Sequence, residues 1–217
     1  MSLEQTKINA LADIYPQETE GNAVVMVGTF APVHEGHLDA IRAASSALTD
    51  RGLVVGSAVL TPNSSEYVQR KLPDDHQTWT FERRVRAILD HEPHPSIPTY
   101  VDTISGPAAG TEQINRFVPQ TVQQYLGHAA SEIYLVVGSD QLPSMEAHLE
   151  HGNRAVCVLR PGNMEEVERQ RKLPWVEAAV EEGRFIITGR PNMENDISST
   201  AIRRSVAAES YHDVTVV

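Results

Sequence analysis

Three stretches of the chain carry side chains suited to holding an anion, and they lie far apart in sequence. The first is Gly28-Thr29-Phe30-Ala31-Pro32-Val33-His34-Glu35-Gly36-His37. It leaves an apolar run and enters a helical pattern, where free backbone N–H groups and the positive helix end favour negative charge. Gly28 and Gly36 allow the backbone to approach a ligand closely. His34 and His37 share a face if the helix has begun by His34, and could then grip one phosphate together. A plain surface helix start would carry the same pair without any ligand. The second stretch is Gly138-Ser139-Asp140, where a carboxylate after a strand could accept from ribose hydroxyls or an adenine amine. It also reads as a common turn. The third runs from Asn195 to Arg204. Ser198, Ser199 and Thr200 are helix-start residues whose hydroxyls and free N–H groups could make a second phosphate cradle. Arg203, one turn further on, could reach the same anion. The bland alternative is a capped helix with a solvated basic face.

These stretches gain meaning from the elements that must position them. Short, β-branched apolar runs bounded by glycine or proline read as strands buried on both faces. They are Ala23–Val27, Leu53–Leu60, Thr99–Ile104, Ile133–Val137, Ala155–Leu159 and Phe185–Thr188. Helical spacing fills the gaps over His37–Leu48, Phe81–Leu89, a stripe from Ile114 to Leu126 with Pro119 opening a second piece, Asn163 onward, Pro174–Glu182 and Ser199–Ala208. Gly183 reads as a helix C-terminal cap. The alternation predicts an α/β fold: one Rossmann-like domain over 23–217, after an N-terminal extension over 1–22. Its doubly wound parallel sheet has order 3-2-1-4-5-6. The three stretches follow strands one, four and six. In that order strands one and four flank the switch point, where ligands bind outside the carboxyl ends. Two long connections, Asn63–Thr80 and His91–Pro98, read as loops.

Composition narrows the chemistry further. With 18 Lys and Arg against 29 Asp and Glu, the net charge of −11 argues against a nucleic-acid coat or a basic membrane-surface protein. It leaves room for a small anionic ligand, because a few local donors outweigh a distant field. No apolar run approaches the ~20 residues of a membrane span, and no secretory signal is visible. The single cysteine, Cys157, rules out an internal disulfide and reads as a buried small hydrophobe in mid-strand. A cytoplasmic chain is expected, with a nuclear one open if it is eukaryotic; the oligomeric state, a homo-oligomer included, stays open. No GxxxxGK[ST] loop, GxGxxG turn or GxSxG elbow is present, and His34-Glu35-Gly36-His37 is one residue short of a zinc-binding HExxH. His91-Glu92-Pro93-His94 lies among prolines and reads as a solvated loop.

The chain resembles the nicotinamide/nicotinate mononucleotide adenylyltransferases of the HxGH nucleotidyltransferase superfamily. The resemblance rests on GTFAPVHEGH at Gly28–His37, ISSTAIR at Ile197–Arg203 and LVVGSD at Leu135–Asp140. Weaker echoes are TPNSSEYVQRKL at Thr61–Leu72 and VDTIS at Val101–Ser105. It implies ATP with Mg²⁺ bound through its own phosphates and no metal ligand from the protein. It also implies a phosphorylated small-molecule acceptor, and neither nucleic acid nor membrane as partner. His34, His37 and Arg203 would be catalytic. Gly28, Thr29, Phe30, Gly36, Gly138, Asp140, Asn195, Ile197, Ser198, Ser199 and Thr200 would bind ATP. Arg70, Lys71, Arg84, Thr103 and Ile104 would meet the acceptor. The sequence departs from the family where ring-stacking aromatics are usual: Ile104 and Gln141–Glu146 stand there. Trp79, Tyr100 and Trp175 are the candidates to replace them. Alternative readings are a different phosphorylated acceptor, or an ATP-binding or ATP-hydrolysing homologue that has lost transfer.

Overall fold

The computed structural model describes residues 20–75, 77–91, 97–109, 118–126, 130–150, 152–159, 163–188, 200 and 202–203. The apolar runs form six strands: β1 Gly21–Gly28, β2 Val55–Pro62, β3 Thr99–Val101, β4 Ala130–Gly138, β5 Arg154–Val158 and β6 Phe185–Ile187. All pair in parallel, in the order β3-β2-β1-β4-β5-β6. The helices are α1 Glu35–Thr49, α2 Ser65–Lys71, α3 Phe81–Leu89, α4 Ser105–Ala109, α5 Val118–Leu126, α6 Glu146–Glu150, α7 Met164–Gln170 and α8 Pro174–Glu181. This is the Rossmann-like α/β sheet that the alternation predicts. None of the described helices is long and apolar enough to cross a membrane.

Period-two alternation splits each strand between two cores. Val24, Met26, Ala58, Leu60, Val136 and Val156 pack under α1 and α3, against Leu38, Ile41, Leu48, Val85 and Ile88. On the opposite face Ala23, Val25, Val59 and Tyr100 meet Val118 and Val122 of α5. Leu135, Val137, Cys157 and Phe185 meet Val167, Val176 and Ala179 of α7 and α8. Burial on both faces is why the strands are continuously apolar. Each buried leucine-sized side chain contributes about 1.5–3 kcal/mol.

Several boundaries differ from the sequence reading, each for a local reason. β1 begins at Gly21, because the backbone and side-chain N–H groups of Asn22 both donate to Val54 O, at 2.8 and 2.9 Å. The connection after β2 contains α2, opened by Ser64, whose hydroxyl accepts from Tyr67 N at 3.0 Å. Only Val68 of α2 is buried, so no apolar stripe announced the helix. β3 stops at Val101, since the Asp102 carboxylate draws in the N–H groups of Ile104 and Ser105 at 2.9 and 3.0 Å. Gly183, at φ 70°, follows α8 as a left-handed cap. Of the expected final helix, Thr200, Ile202 and Arg203 are helical; Asn195, Ile197, Ser198 and Ser199 lie outside the described residues.

Candidate anion site at the carboxyl edge of the sheet

β1 and β4 are neighbours with Met26 level with Val136. Two residues on, that register sets Gly28 beside Gly138, so the exits of the two strands open side by side. Beyond Gly28 the chain turns sharply. Phe30 sits in the left-handed region at φ 47° with its ring fully buried.

His34 is extended (φ −154°) and caps α1 rather than belonging to it, so the helix begins one residue later than a shared helical face requires. The two histidines still meet. Their ring centroids are 3.8 Å apart with a 34° tilt. His37 N donates to His34 O at 2.9 Å, and His34 N donates back to His37 Nδ1 at 3.3 Å. Because Nδ1 accepts, the proton of a neutral His37 ring is on Nε2. The Phe30 ring meets His37 edge-on, with centroids 5.0 Å apart. Glu35 in the first turn pairs with Arg42.

Gly28 has no room for a side chain. A Cβ there would lie 2.9 Å from two atoms of the Phe30 ring. Gly28→Ala is therefore expected to displace the ring that supports His37. The expected costs are about 1–3 kcal/mol of stability and, through misplacement of the imidazole, about a hundredfold in turnover. Thermal melts and initial rates would check this; unaltered turnover would separate the Phe30 ring from the function of His37.

Arg203 reaches this turn from the far end of the chain. Its Nη1 donates to Ala31 O at 2.6 Å and its Nη2 to Thr200 Oγ1 at 3.1 Å, while Nε lies 3.5 Å from Asp75 Oδ2. Lys71, the last residue of α2, donates from Nζ to Thr29 Oγ1 at 3.1 Å. Its ammonium end is crowded by protein although the side chain as a whole is exposed. Burial, then the charge of Arg203, lowers its pKa below the usual lysine value, and Asp140 opposes the shift. Lys71, Arg203 and Asp140 thus share one electrostatic neighbourhood at the β1–β4 opening. Arg70 lies instead over the Tyr67 ring at 5.6 Å.

Since the folded chain holds the Lys71 proton less tightly than the unfolded chain, that charge opposes folding at neutral pH. The penalty fades as pH rises through the lowered pKa. Lys71→Met is expected to raise the melting temperature of the ligand-free protein near neutrality, with the gain vanishing as the pH approaches 10.5, the ordinary lysine value. Melting curves across pH would show this, and a variant less stable at neutral pH would contradict it.

Arg84 has a different place from the acceptor contact expected of it. Its side chain is fully buried, and its guanidinium donates to three backbone carbonyls: Nε to Trp79 O at 3.2 Å, Nη1 to Thr29 O at 3.0 Å and Nη2 to Asn63 O at 2.8 Å. Burial pulls its pKa down to about 10, with Glu82 opposing, so it remains a cation at neutral pH. Thr103 is buried and Ile104 half-buried, on the turn held by Asp102, whose other oxygen accepts from Thr61 Oγ1 at 3.1 Å. Gly106 follows, against the carbonyl of Pro62.

Two of the three aromatic candidates are committed elsewhere. Tyr100 belongs to the core under α5, and Trp175 packs against the α7–α8 core. Trp79 is half-buried, and its carbonyl is held by Arg84 beside Thr29; its ring carries Arg83 at 5.0 Å. Ser139 is buried, and its hydroxyl accepts from Asn163 Nδ2 at 3.3 Å, which steadies the turn that presents the exposed Asp140. Sequence reasoning took Asn163 for a helix start and did not single out Asp75 or Asp102. An aspartate in a long polar loop and one closing a strand were the available signals. Burial pushes the Cys157 thiol up to about 12, with Asp140 adding to the shift, so it is no nucleophile. Among the described residues no group of three or more His, Cys, Asp or Glu is placed to hold a metal ion.

The arrangement therefore offers an anion two imidazoles, a guanidinium and an ammonium around one turn, with a carboxylate on the neighbouring strand exit. Residues 25–205 match the family model described as cytidylyltransferase-like. No curated protein matches the chain.

Proposed function

Because the chain belongs to the cytidylyltransferase-like family, and so to the nucleotidyltransferases, we propose that it moves AMP from ATP to the 5′-phosphate of nicotinamide or nicotinate mononucleotide. Pyrophosphate is released and a dinucleotide forms, a step of NAD biosynthesis. The observation that carries this reading is Arg203 on the carbonyl of Ala31, 172 residues away, beside the stacked His34 and His37. It gathers the cations of two distant motifs around one turn.

The chemistry follows from the charges. An oxygen of the acceptor phosphate attacks the α-phosphorus in line. The bond from that phosphorus to the bridging oxygen breaks, and pyrophosphate leaves with the electron pair. The nucleophile is already ionised at neutral pH, so no general base is required. Catalysis is positioning plus neutralisation of growing negative charge. Holding two anions in line supplies roughly 7–11 kcal/mol of the barrier. His37 Nε2 and His34 donate to the α- and leaving phosphates, and Arg203 exchanges Asp75 for the leaving group. Asp140 accepts from the ribose. Lys71, already on Thr29, holds the acceptor phosphate. Mg²⁺ enters with ATP as part of the substrate.

The test is to supply the chain with MgATP or MgCTP and each pyridine mononucleotide, and to follow pyrophosphate and dinucleotide together. Equal release of both products from ATP is expected. Lys71→Gln should raise KM for the acceptor about tenfold, the worth of a charge-assisted hydrogen bond. A second reading, transfer to a different phosphorylated acceptor, is favoured by the burial of Tyr100 and the place of Trp175. It predicts pyrophosphate from other acceptors and none from pyridine mononucleotides. ATP binding with no transfer to any acceptor would favour a homologue that has lost the reaction.

A further inference from the structure

Lys71 is a cation in unusual company. It closes α2, its side chain is exposed, and its Nζ has one hydrogen bond, to Thr29 Oγ1 at 3.1 Å. No carboxylate among the described residues lies within ion-pair distance of it. The Tyr67 ring lies 5.9 Å from Nζ. Arg203 is clipped to the same turn two residues further on, through Ala31 O at 2.6 Å. An amine crowded by protein, without a counter-ion and beside another cation, gives up its proton more readily than an ordinary surface lysine. Burial and Arg203 both act this way on Lys71, and Asp140 offsets them only in part. The neutral amine has two N–H bonds and a lone pair. One N–H can stay on Thr29 Oγ1, leaving the lone pair for an electrophile. The surroundings also say which electrophile. Arg203 and the stacked His34 and His37 favour a phosphate group, and Arg203 already faces an anion, the Asp75 carboxylate at 3.5 Å. An acyl phosphate has its electrophilic carbonyl carbon one bridging oxygen from phosphorus. A phosphate held at this turn therefore delivers that carbon to the amine.

We propose that Lys71 is a covalent modification site: a small acyl phosphate bound at the opening transfers its acyl group to Lys71 Nζ. This rests on the reading of the opening as a phosphate site. The lone pair of Nζ attacks the carbonyl carbon and a C–N bond forms. The bond from that carbon to the bridging oxygen breaks, and inorganic phosphate leaves with the electron pair. The surplus proton on the nitrogen passes to water. The product is an amide without charge, so acylation removes the cation that meets the acceptor phosphate and brakes transfer for as long as the amide lasts. A lysine elsewhere on the surface lacks the phosphate anchor and reacts only by collision.

The experiment treats the full chain with acetyl phosphate at mildly alkaline pH. The chain has three lysines, Lys7, Lys71 and Lys172, so the rate at each can be followed by peptide mass spectrometry. Lys172, exposed in the turn after α7, is the reference. Lys71 should be acetylated about tenfold faster than Lys172 or more, a small part of what proximity can supply, and its rate should saturate with acetyl phosphate. Inorganic tripolyphosphate should raise the melting temperature and bring Lys71 down to the rate of Lys172. Acetic anhydride, which has no phosphate, should show a smaller preference for Lys71. The acetylated chain should match Lys71→Gln, with KM for the acceptor up about tenfold. Lys71→Arg cannot be acylated in this way and should keep its own activity through the same treatment; should it not fold, the protection experiment on the natural chain decides. Equal rates at Lys71 and Lys172 overturn the proposal and leave the phosphate site standing. So does a fast Lys71 that tripolyphosphate fails to protect while still raising the melting temperature. An acetylated chain with unaltered KM overturns the braking role. A melting temperature that tripolyphosphate does not move overturns both the proposal and the phosphate site.

Discussion

His37→Ala is expected to cut nucleotidyl transfer by about a hundredfold or more, the range for removing one donor to developing oxyanion charge, while the protein melts close to the wild type. The two halves of the prediction have separate grounds. The face that α1 buries is Leu38, Ile41, Ala44, Ser45, Ala47 and Leu48, and His37 is not on it. Its loss removes an edge contact to Phe30 and the acceptor for His34 N, not core volume. The activity loss follows from the proposed reaction, in which His37 donates to the growing negative charge on phosphate. His37→Gln, whose amide nitrogen can reach nearly the same point, should retain more activity than alanine. His37→Asn, which is shorter, should not. Rates at saturating ATP with a melt on each variant would check the ordering. A near-normal alanine variant would remove His37 from the reaction.

Gly106→Ala is expected to have the largest effect on stability. A Cβ at Gly106 would lie 2.0 Å from Pro62 O, with the Pro62 and Asn63 carbonyl carbons at 3.2 and 3.4 Å. Those are backbone atoms at the end of a strand. Pro62 is level with Gly28 of β1, and the next carbonyl is held by Arg84. Nothing flexible can yield, so α4 must lift from β2. Overpacking of this kind costs about 3 kcal/mol or more, which lowers the melting temperature by roughly 6–12 °C in a domain of this size. The displacement also disturbs Thr103 and Ile104, so KM for the acceptor should rise more than KM for ATP. A variant that melts within a degree of the wild type would show that α4 moves freely.

The strand pattern was legible because six runs are buried on both faces, and such burial leaves a continuous apolar signature. The sheet order followed from handedness and alternation. Helices with one buried residue, such as Ser65–Lys71, left no stripe to read; their stability comes from a cap and from contacts made after folding. In the candidate site, His34, His37 and Arg203 stand out in the sequence because their types and neighbours are unusual, and the folded chain brings the two imidazoles together and Arg203 onto the same turn. Arg84 was visible as a cation but not in its role: which carbonyls surround a side chain depends on tertiary closure, and spacing carries no record of it. Asp75 escaped for the same reason. Its partner lies far along the chain, and nothing near it in sequence marks it.

The position of Cys157 turns the chain into its own reporter. The thiol is fully enclosed in the middle of β5, it has no second cysteine to pair with, and it stays protonated. A maleimide added to the native protein can react only in molecules whose sheet has opened. The speed of that tagging then measures how often the central layer comes apart, in unlabelled, unmutated material and without denaturant.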